Sequence, residues 1–157
     1  MRRCLPAAVI VACVQLLISC NSTHKSPPAA SPRAASAPEA TFTLDGSEWL
    51  LADLAGTAVV YDSKASLDFL DSGEVAGNAS CNRFTGSVTI SGNTLKFGPL
   101  ATTMMACADP KVGTQETTYL KALAAATRYE WHNPYLFIFC DGFDKPLQFT
   151  RAPSAAH

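Results

Sequence analysis

The sequence predicts a mostly β (α+β) domain with one packed α-helix. Short apolar runs, several alternating with period two, recur between Trp49 and Arg151 and are separated by Gly, Asn, Asp and Pro turn signals. One stretch, 114–126, instead repeats apolar residues near every 3.6 positions. The span that can fold, residues 41–152, has room for one hydrophobic core and not for two.

The elements follow in order. Residues 49–54 open the domain with Trp49-Leu50-Leu51. Leu67 and Phe69 alternate in 66–70, Asp71-Ser72-Gly73 turns the chain, and 74–77 returns. Residues 84–90 alternate loosely, and Ser91-Gly92-Asn93 makes a hairpin turn. Leu95 and Phe97 then share one face of 94–97, and Gly98-Pro99 ends the run. In the helix, Tyr119, Leu120, Leu123 and Thr127 make the apolar stripe. Thr114 is the expected N-cap, Glu116 suits the positive end of the dipole, and Glu116 and Lys121 are placed on the surface. The alanines at 122 and 124–126 raise helix propensity. After it come 128–132, a turn at Asn133-Pro134, 135–140, a turn at 141–145, and 146–151. Residues 136–140 are apolar on both faces, which predicts a central strand covered on both sides.

The first 19 residues predict a cellular address. Met1-Arg2-Arg3 is a basic start, and residues 4–18 form an apolar run of 15, too short for a comfortable membrane span of about 20. The run ends in Leu17-Ile18-Ser19-Cys20, which resembles a bacterial lipobox. Cys20 is thus the expected lipidation site and new N-terminus. Two fatty chains already hold a protein stably, at about 0.8 kcal/mol per buried methylene. Residue 21 is Asn rather than Asp, which favours the outer membrane, facing the periplasm. Residues 20–40, rich in Ala, Ser and Pro, read as a tether, and 153–157 as a flexible tail. As a random coil the tether would span about 25 Å. The sequons at Asn21 and Asn78 are discounted in a bacterial lipoprotein.

Charge excludes one class. The formal net charge is −1, and loss of Arg2 and Arg3 leaves 10 basic against 13 acidic residues, or −3. A nucleic-acid binder needs a basic face, so none is expected as a partner. No Gly-x-Ser-x-Gly or His-Glu-x-x-His motif occurs, and His132 is the only histidine in the domain span. No catalytic residue, cofactor or metal ligand is expected. Asp62, Asp68, Asp71 and Glu74 read as a solvated face, and Met104 and Met105 as core packing rather than copper ligands. After processing, Cys20, Cys81, Cys107 and Cys140 remain. The last three allow three single disulfides in an oxidising periplasm, or none.

Two segments carry a more specific pattern. Gly77-Asn78-Ala79-Ser80-Cys81-Asn82-Arg83-Phe84-Thr85-Gly86 is followed by Thr103-Met104-Met105-Ala106-Cys107. With Trp49, Leu51, Glu116, Tyr119-Leu120, Leu123, Leu136, Leu147, Phe149 and Arg151, this resembles the META/HslJ-like domain family across residues 49–151. The family commonly has Gly where this chain has Ser80, so Ser80 implies that the turn need not take a positive φ. It also favours an aromatic where Val88 stands.

The resemblance implies a small antiparallel β barrel or curved sheet with the helix packed on it. It also implies a secreted or lipid-anchored bacterial protein with no established enzymatic activity. Of the three pairings, it favours Cys81–Cys107, because both cysteines lie in its most specific motifs. Cys140 is then a buried, inert thiol. Asn82, Thr103 and Met105 become the candidates for a ligand contact or a structural lock, with Asn82 bonding the loop near Thr102-Thr103. The expected function is non-enzymatic: a lipid-anchored envelope protein that binds a partner protein or a hydrophobic ligand, in stress tolerance or assembly. The alternative is an inhibitor of a host or rival enzyme such as lysozyme. A thiol-dependent enzyme would need a reactive Cys107 or Cys140.

Overall fold

Ten strands and one helix make up residues 42–153, the part of the chain described by the computed structural model. The expected signal peptide at 1–19, the expected lipidation site Cys20, the expected tether to residue 40 and the expected tail from 154 onward lie outside the described residues.

The strands are β1 (Ser47–Leu54), β2 (Thr57–Ala58), β3 (Ser66–Phe69), β4 (Glu74–Asn78), β5 (Arg83–Ser91), β6 (Thr94–Phe97), β7 (Ala101–Thr102), β8 (Ala126–His132), β9 (Tyr135–Cys140) and β10 (Leu147–Arg151). Eight of them form a closed antiparallel barrel in the order β1-β3-β4-β5-β6-β8-β9-β10, with β10 returning to β1. Closure removes the exposed edges that an open sheet would leave. The two-residue strands β2 and β7 pair outside the ring, on β1 and β5. Their shortness left no pattern to see in the sequence.

Alternation selects the core. Trp49, Leu67, Phe69, Val75, Phe84, Leu95, Leu136, Ile138, Leu147 and Phe149 are nearly or fully buried inside the ring. Each such side chain contributes roughly 1.5–3 kcal/mol by leaving water. Trp49 also needs a partner for its indole N–H. It donates to Ser47 Oγ at 2.7 Å, and Ser47 in turn donates to the Leu44 carbonyl.

The helix α1 (Pro110–Ala124) starts four residues before the expected 114 and ends two before 126. Its N-cap is Asp109, not Thr114, and its carboxylate accepts from Lys111 N–H at 2.8 Å. Pro110 follows at the first helical position, where its fixed φ and missing N–H cost nothing. Glu116 therefore lies in the second turn. The helix packs on β1, β6 and β9, strands spaced around the ring, so it crosses one mouth of the barrel. Tyr119, Ala122 and Leu123 are fully buried beneath it. Tyr119 meets Phe84 edge-on at 6.2 Å and donates its hydroxyl to the Ser66 carbonyl at 3.1 Å. Burial holds that phenol protonated, with its pKa well above the ordinary value.

The helix does not cover β9 from outside, which corrects the two-sided reading of 136–140. Leu136, Ile138 and Cys140 point inward, while Tyr135, Phe137 and Phe139 point outward and are partly exposed. A closed barrel offers each strand one interior face only. The outer face is covered by neighbours: the Arg128 guanidinium lies 3.4 Å from the Phe139 ring centroid, and His132 meets Phe137 at 5.8 Å.

The antiparallel order also separates the two mouths. Phe42 stacks on Trp131 at 4.3 Å, and Ala152 N–H bonds the Glu48 carbonyl at 2.9 Å, so both described chain ends lie at one mouth. The β4–β5 loop, the β7–α1 loop and α1 lie at the other.

Candidate functional site

At the helix mouth, two loops meet the second turn of α1. Glu116 accepts three hydrogen bonds from the first loop: Oε2 from Asn82 N–H at 2.6 Å and Cys81 N–H at 3.1 Å, and Oε1 from Asn82 Nδ2 at 2.7 Å. Asn82, only 4% exposed, passes the contact to the second loop. Its Nδ2 donates to the Met105 carbonyl at 3.2 Å, and its Oδ1 accepts from Met105 N–H at 2.7 Å and Thr103 Oγ1 at 2.9 Å. Thr103 Oγ1 accepts in turn from Arg83 N–H at 3.1 Å. The Asn82 amide thus uses both protons and both acceptor sites. Such a group has nothing left for a ligand, and its role is to lock the loops together.

Gln115 does the same on the neighbouring side. Its Oε1 accepts from Val60 N–H at 2.6 Å, and its Nε2 donates to Ser63 Oγ at 2.6 Å and Ser80 Oγ at 2.8 Å. Two consecutive helix residues therefore pin two loops directly and a third through Asn82. Neither was foreseen as a site residue, and Glu116 was expected at the surface. A signal for Gln115 existed: it falls on the same helical stripe as Tyr119, Ala122 and Leu123, where a polar residue needs a buried partner.

Ser80 has φ +118°, so the positive φ is kept despite the missing glycine, contrary to the expectation. A non-glycine residue there is strained by about 1–3 kcal/mol. Asn78 Oδ1 accepts from Ser80 N–H at 2.8 Å, and the Gln115 bond holds its hydroxyl, so local hydrogen bonds offset the strain.

Cys81 and Cys107 form a disulfide with Cα atoms 5.9 Å apart. Together with Glu116 they place three potential metal-ligand atoms within 4.8 Å of one another. The sulfurs, however, are bonded to each other and offer no thiolate, and Glu116 is already engaged by three N–H groups. Cys140 is free and buried. Burial, and then the nearby Asp141 charge, push its thiol up to about 12.

Met104 and Met105 are not core residues. They are 96% and 61% exposed, and Met105 enters the network through its backbone alone. The β7–α1 loop is clamped by Asn82 and the disulfide outside the barrel wall, so its side chains have no interior to reach. Tyr61, on a loop held through Val60 and Ser63, is 98% exposed. Beside these loops runs a cleft of about 440 Å³, with Leu54, Ala58 and Val60 on one wall and Lys111, Thr114 and Thr118 of α1 on the other.

The motif residues, their loops and the barrel beneath match the META domain model over residues 42–154. The chain belongs to the META domain family. Two solved structures are similar at a TM-score of 0.56. One is an NMR structure of a protein from Burkholderia xenovorans, 26% identical, covering 78% of this chain and 97% of its own. The other is an NMR structure, 23% identical, covering 67% and 88%. A crystal structure of a DUF4847 family protein from Bacteroides vulgatus is 13% identical at a TM-score of 0.52, covering 70% and 95%, and shares the fold. No curated protein matches the chain. Among the described residues of this META domain, no helix is long and apolar enough to cross a membrane.

Proposed function

We propose that this META domain protein is a lipid-anchored protein of the bacterial envelope that binds a partner protein or hydrophobic ligand without catalysing a reaction. The anchor is Cys20, and the location is the periplasmic face of the outer membrane. The observation that carries the binding reading is the helix mouth. Exposed Met104, Met105 and Tyr61 stand on loops fixed by Gln115, Glu116 and Asn82, and a cleft with one apolar wall, Leu54, Ala58 and Val60, runs along α1 next to the Tyr61 loop. Loops ordered in advance lose little entropy on binding, so apolar side chains on them make effective anchors. This mouth lies opposite Phe42, the first described residue. The groups that a thiol enzyme would need are withdrawn: Cys107 is in a disulfide and Cys140 is held protonated.

Crosslinking from solubilised envelopes tests the reading. A specific protein or lipid should be recovered with the wild type and lost with Met104→Ser/Met105→Ser. Recovery of bulk phospholipid alone, unchanged by the substitutions, would remove the proposal.

The same loop supports a second reading, inhibition of a host or rival enzyme such as lysozyme. A disulfide-clamped loop with Met104 at its tip can enter an active-site cleft as a rigid plug. A lysozyme turbidity assay with the purified protein separates the two: inhibition abolished by Met104→Asp favours the plug.

A further inference from the structure

The outer wall of the barrel holds a second concavity, which adjoins the β4–β5 loop but shares no lining residue with the cleft beside α1. Strands β3, β4 and β5 surround a dimple of about 180 Å³. The β3–β4 backbone ladder runs through Asp68↔Ala76 and then opens. Past that point Asn78 N–H donates to Ser66 Oγ at 3.1 Å instead of to a backbone carbonyl. Gly77 sits at the opening, where an added Cβ would strike the Ser66 carbonyl and the Phe84 ring. Small residues at 76 and 77 leave the floor low, and Asp68, Arg83, Ser66, Asn78 and Thr85 supply polar walls.

The charges in the dimple are unusual. Asp68 and Arg83 both line it, yet they do not form an ion pair; the pairs found among the described residues are Arg128–Glu130 and His132–Glu130. Glu48 stands directly across the β1–β3 ladder from Asp68, on the same outer face. Like charges directly opposite destabilise a sheet. Burial first, and then Glu48, raise the Asp68 pKa, and Arg83 only partly opposes them. Two carboxylates thus lack a cation on one side, and a guanidinium lacks an anion on the other. A bare anion would be repelled by the carboxylates, and a bare metal cation by Arg83.

We propose that this dimple binds the zwitterion of a small α-amino acid, its ammonium against Asp68, with Glu48 behind it across the ladder, and its carboxylate on Arg83. Such a molecule carries both missing charges on one carbon and settles both at once. The volume corresponds to about six water-sized spaces, which suits the five or six non-hydrogen atoms of glycine or alanine. The Ser66 hydroxyl and Asn78 amide at the rim offer further polar contacts. This inference does not rest on the envelope reading or on the helix mouth.

Calorimetric titration of the full chain with glycine, alanine, ethylamine and acetate tests it. Glycine and alanine should bind saturably, and each half-molecule at least about tenfold more weakly. Removing one charge-assisted contact contributes a loss of that order. Arg83→Gln, at an exposed position, should fold normally and weaken alanine binding at least about tenfold, and Asp68→Asn should do the same. Absence of saturable glycine or alanine binding at about 10 mM, where even millimolar affinity would register, overturns the proposal. So does ethylamine binding as well as alanine, or alanine binding that survives Arg83→Gln.

Discussion

The Glu116 carboxylate accepts both backbone and side-chain N–H groups of Asn82, 34 residues earlier in the chain, at 2.6 and 2.7 Å. Through this one contact the helix that closes the barrel also sets the β4–β5 loop, and through the Asn82 amide the β7–α1 loop. The exposed Met104 and Met105 are held in place by hydrogen bonds made well behind them.

Asn82→Ala should lower stability by about 3 kcal/mol. It removes four side-chain hydrogen bonds, each worth about 1 kcal/mol net, and water reaches part of what remains. Asn82→Asp should be no better, because it sets a second carboxylate against Glu116. Urea unfolding followed by circular dichroism measures both. A loss under about 1 kcal/mol for Asn82→Ala would show that the lock is not structural.

Replacing Cys81 and Cys107 together by Ser should cost about 3.5 kcal/mol, the chain entropy released by opening a loop spanning 26 positions. The folded loop keeps its Asn82 bonds, so the effect lies in the unfolded chain. With Asn82→Ala as well, the β7–α1 loop loses both clamps, so a double-mutant cycle should show coupling above about 0.5 kcal/mol.

Cys140 should resist iodoacetamide in the native protein at pH 8 and react at once in denaturant. A thiol near 12 is almost wholly protonated at that pH. The unfolded thiol titrates near about 8.5. Above that pH the unfolded chain holds fewer protons than the folded one, so stability should fall as pH rises. Cys140→Ala should flatten that decline in a series of melts from pH 7 to pH 10.

Asp68 has a folded pKa above the unfolded one, which reverses the usual carboxylate behaviour. Near and above the ordinary carboxylate range the folded state holds more protons, so this group lowers stability as pH rises. Asp68→Asn should therefore stabilise the protein at pH 7, and the gain should vanish at pH 2, where both states are protonated. A destabilised Asp68→Asn variant at pH 7 would mean that Asp68 already has a cationic partner.

Much of the architecture was legible in the residues. Short apolar runs bounded by turn signals located the eight barrel strands to within two residues, and in 66–70, 84–90 and 94–97 alternation showed the inward face, because a half-buried strand must place one side chain in two inward. The helix was found from its stripe, but its start was misplaced: Asp109-Pro110 was the better start signal, and Thr114 lies a turn inside. The two errors about 104–105 and 136–140 share a cause. Apolar residues were taken as buried on sight, whereas a clamped loop leaves Met104 in solvent and a closed ring leaves Phe137 and Phe139 on its outer side.

The sequence by itself determined the family, the strand-rich class, the single helix and the two motifs that hold the cysteines, since each depends on local pattern and spacing. Only the tertiary structure decided that β10 returns to β1, that Glu116 and Gln115 turn inward to tie the loops, and that Asp68, Glu48 and Arg83 share one wall. Those relations join strands and loops far apart in the chain. They depend on how the ring closes, and no short-range signal records which distant partner a polar side chain will meet.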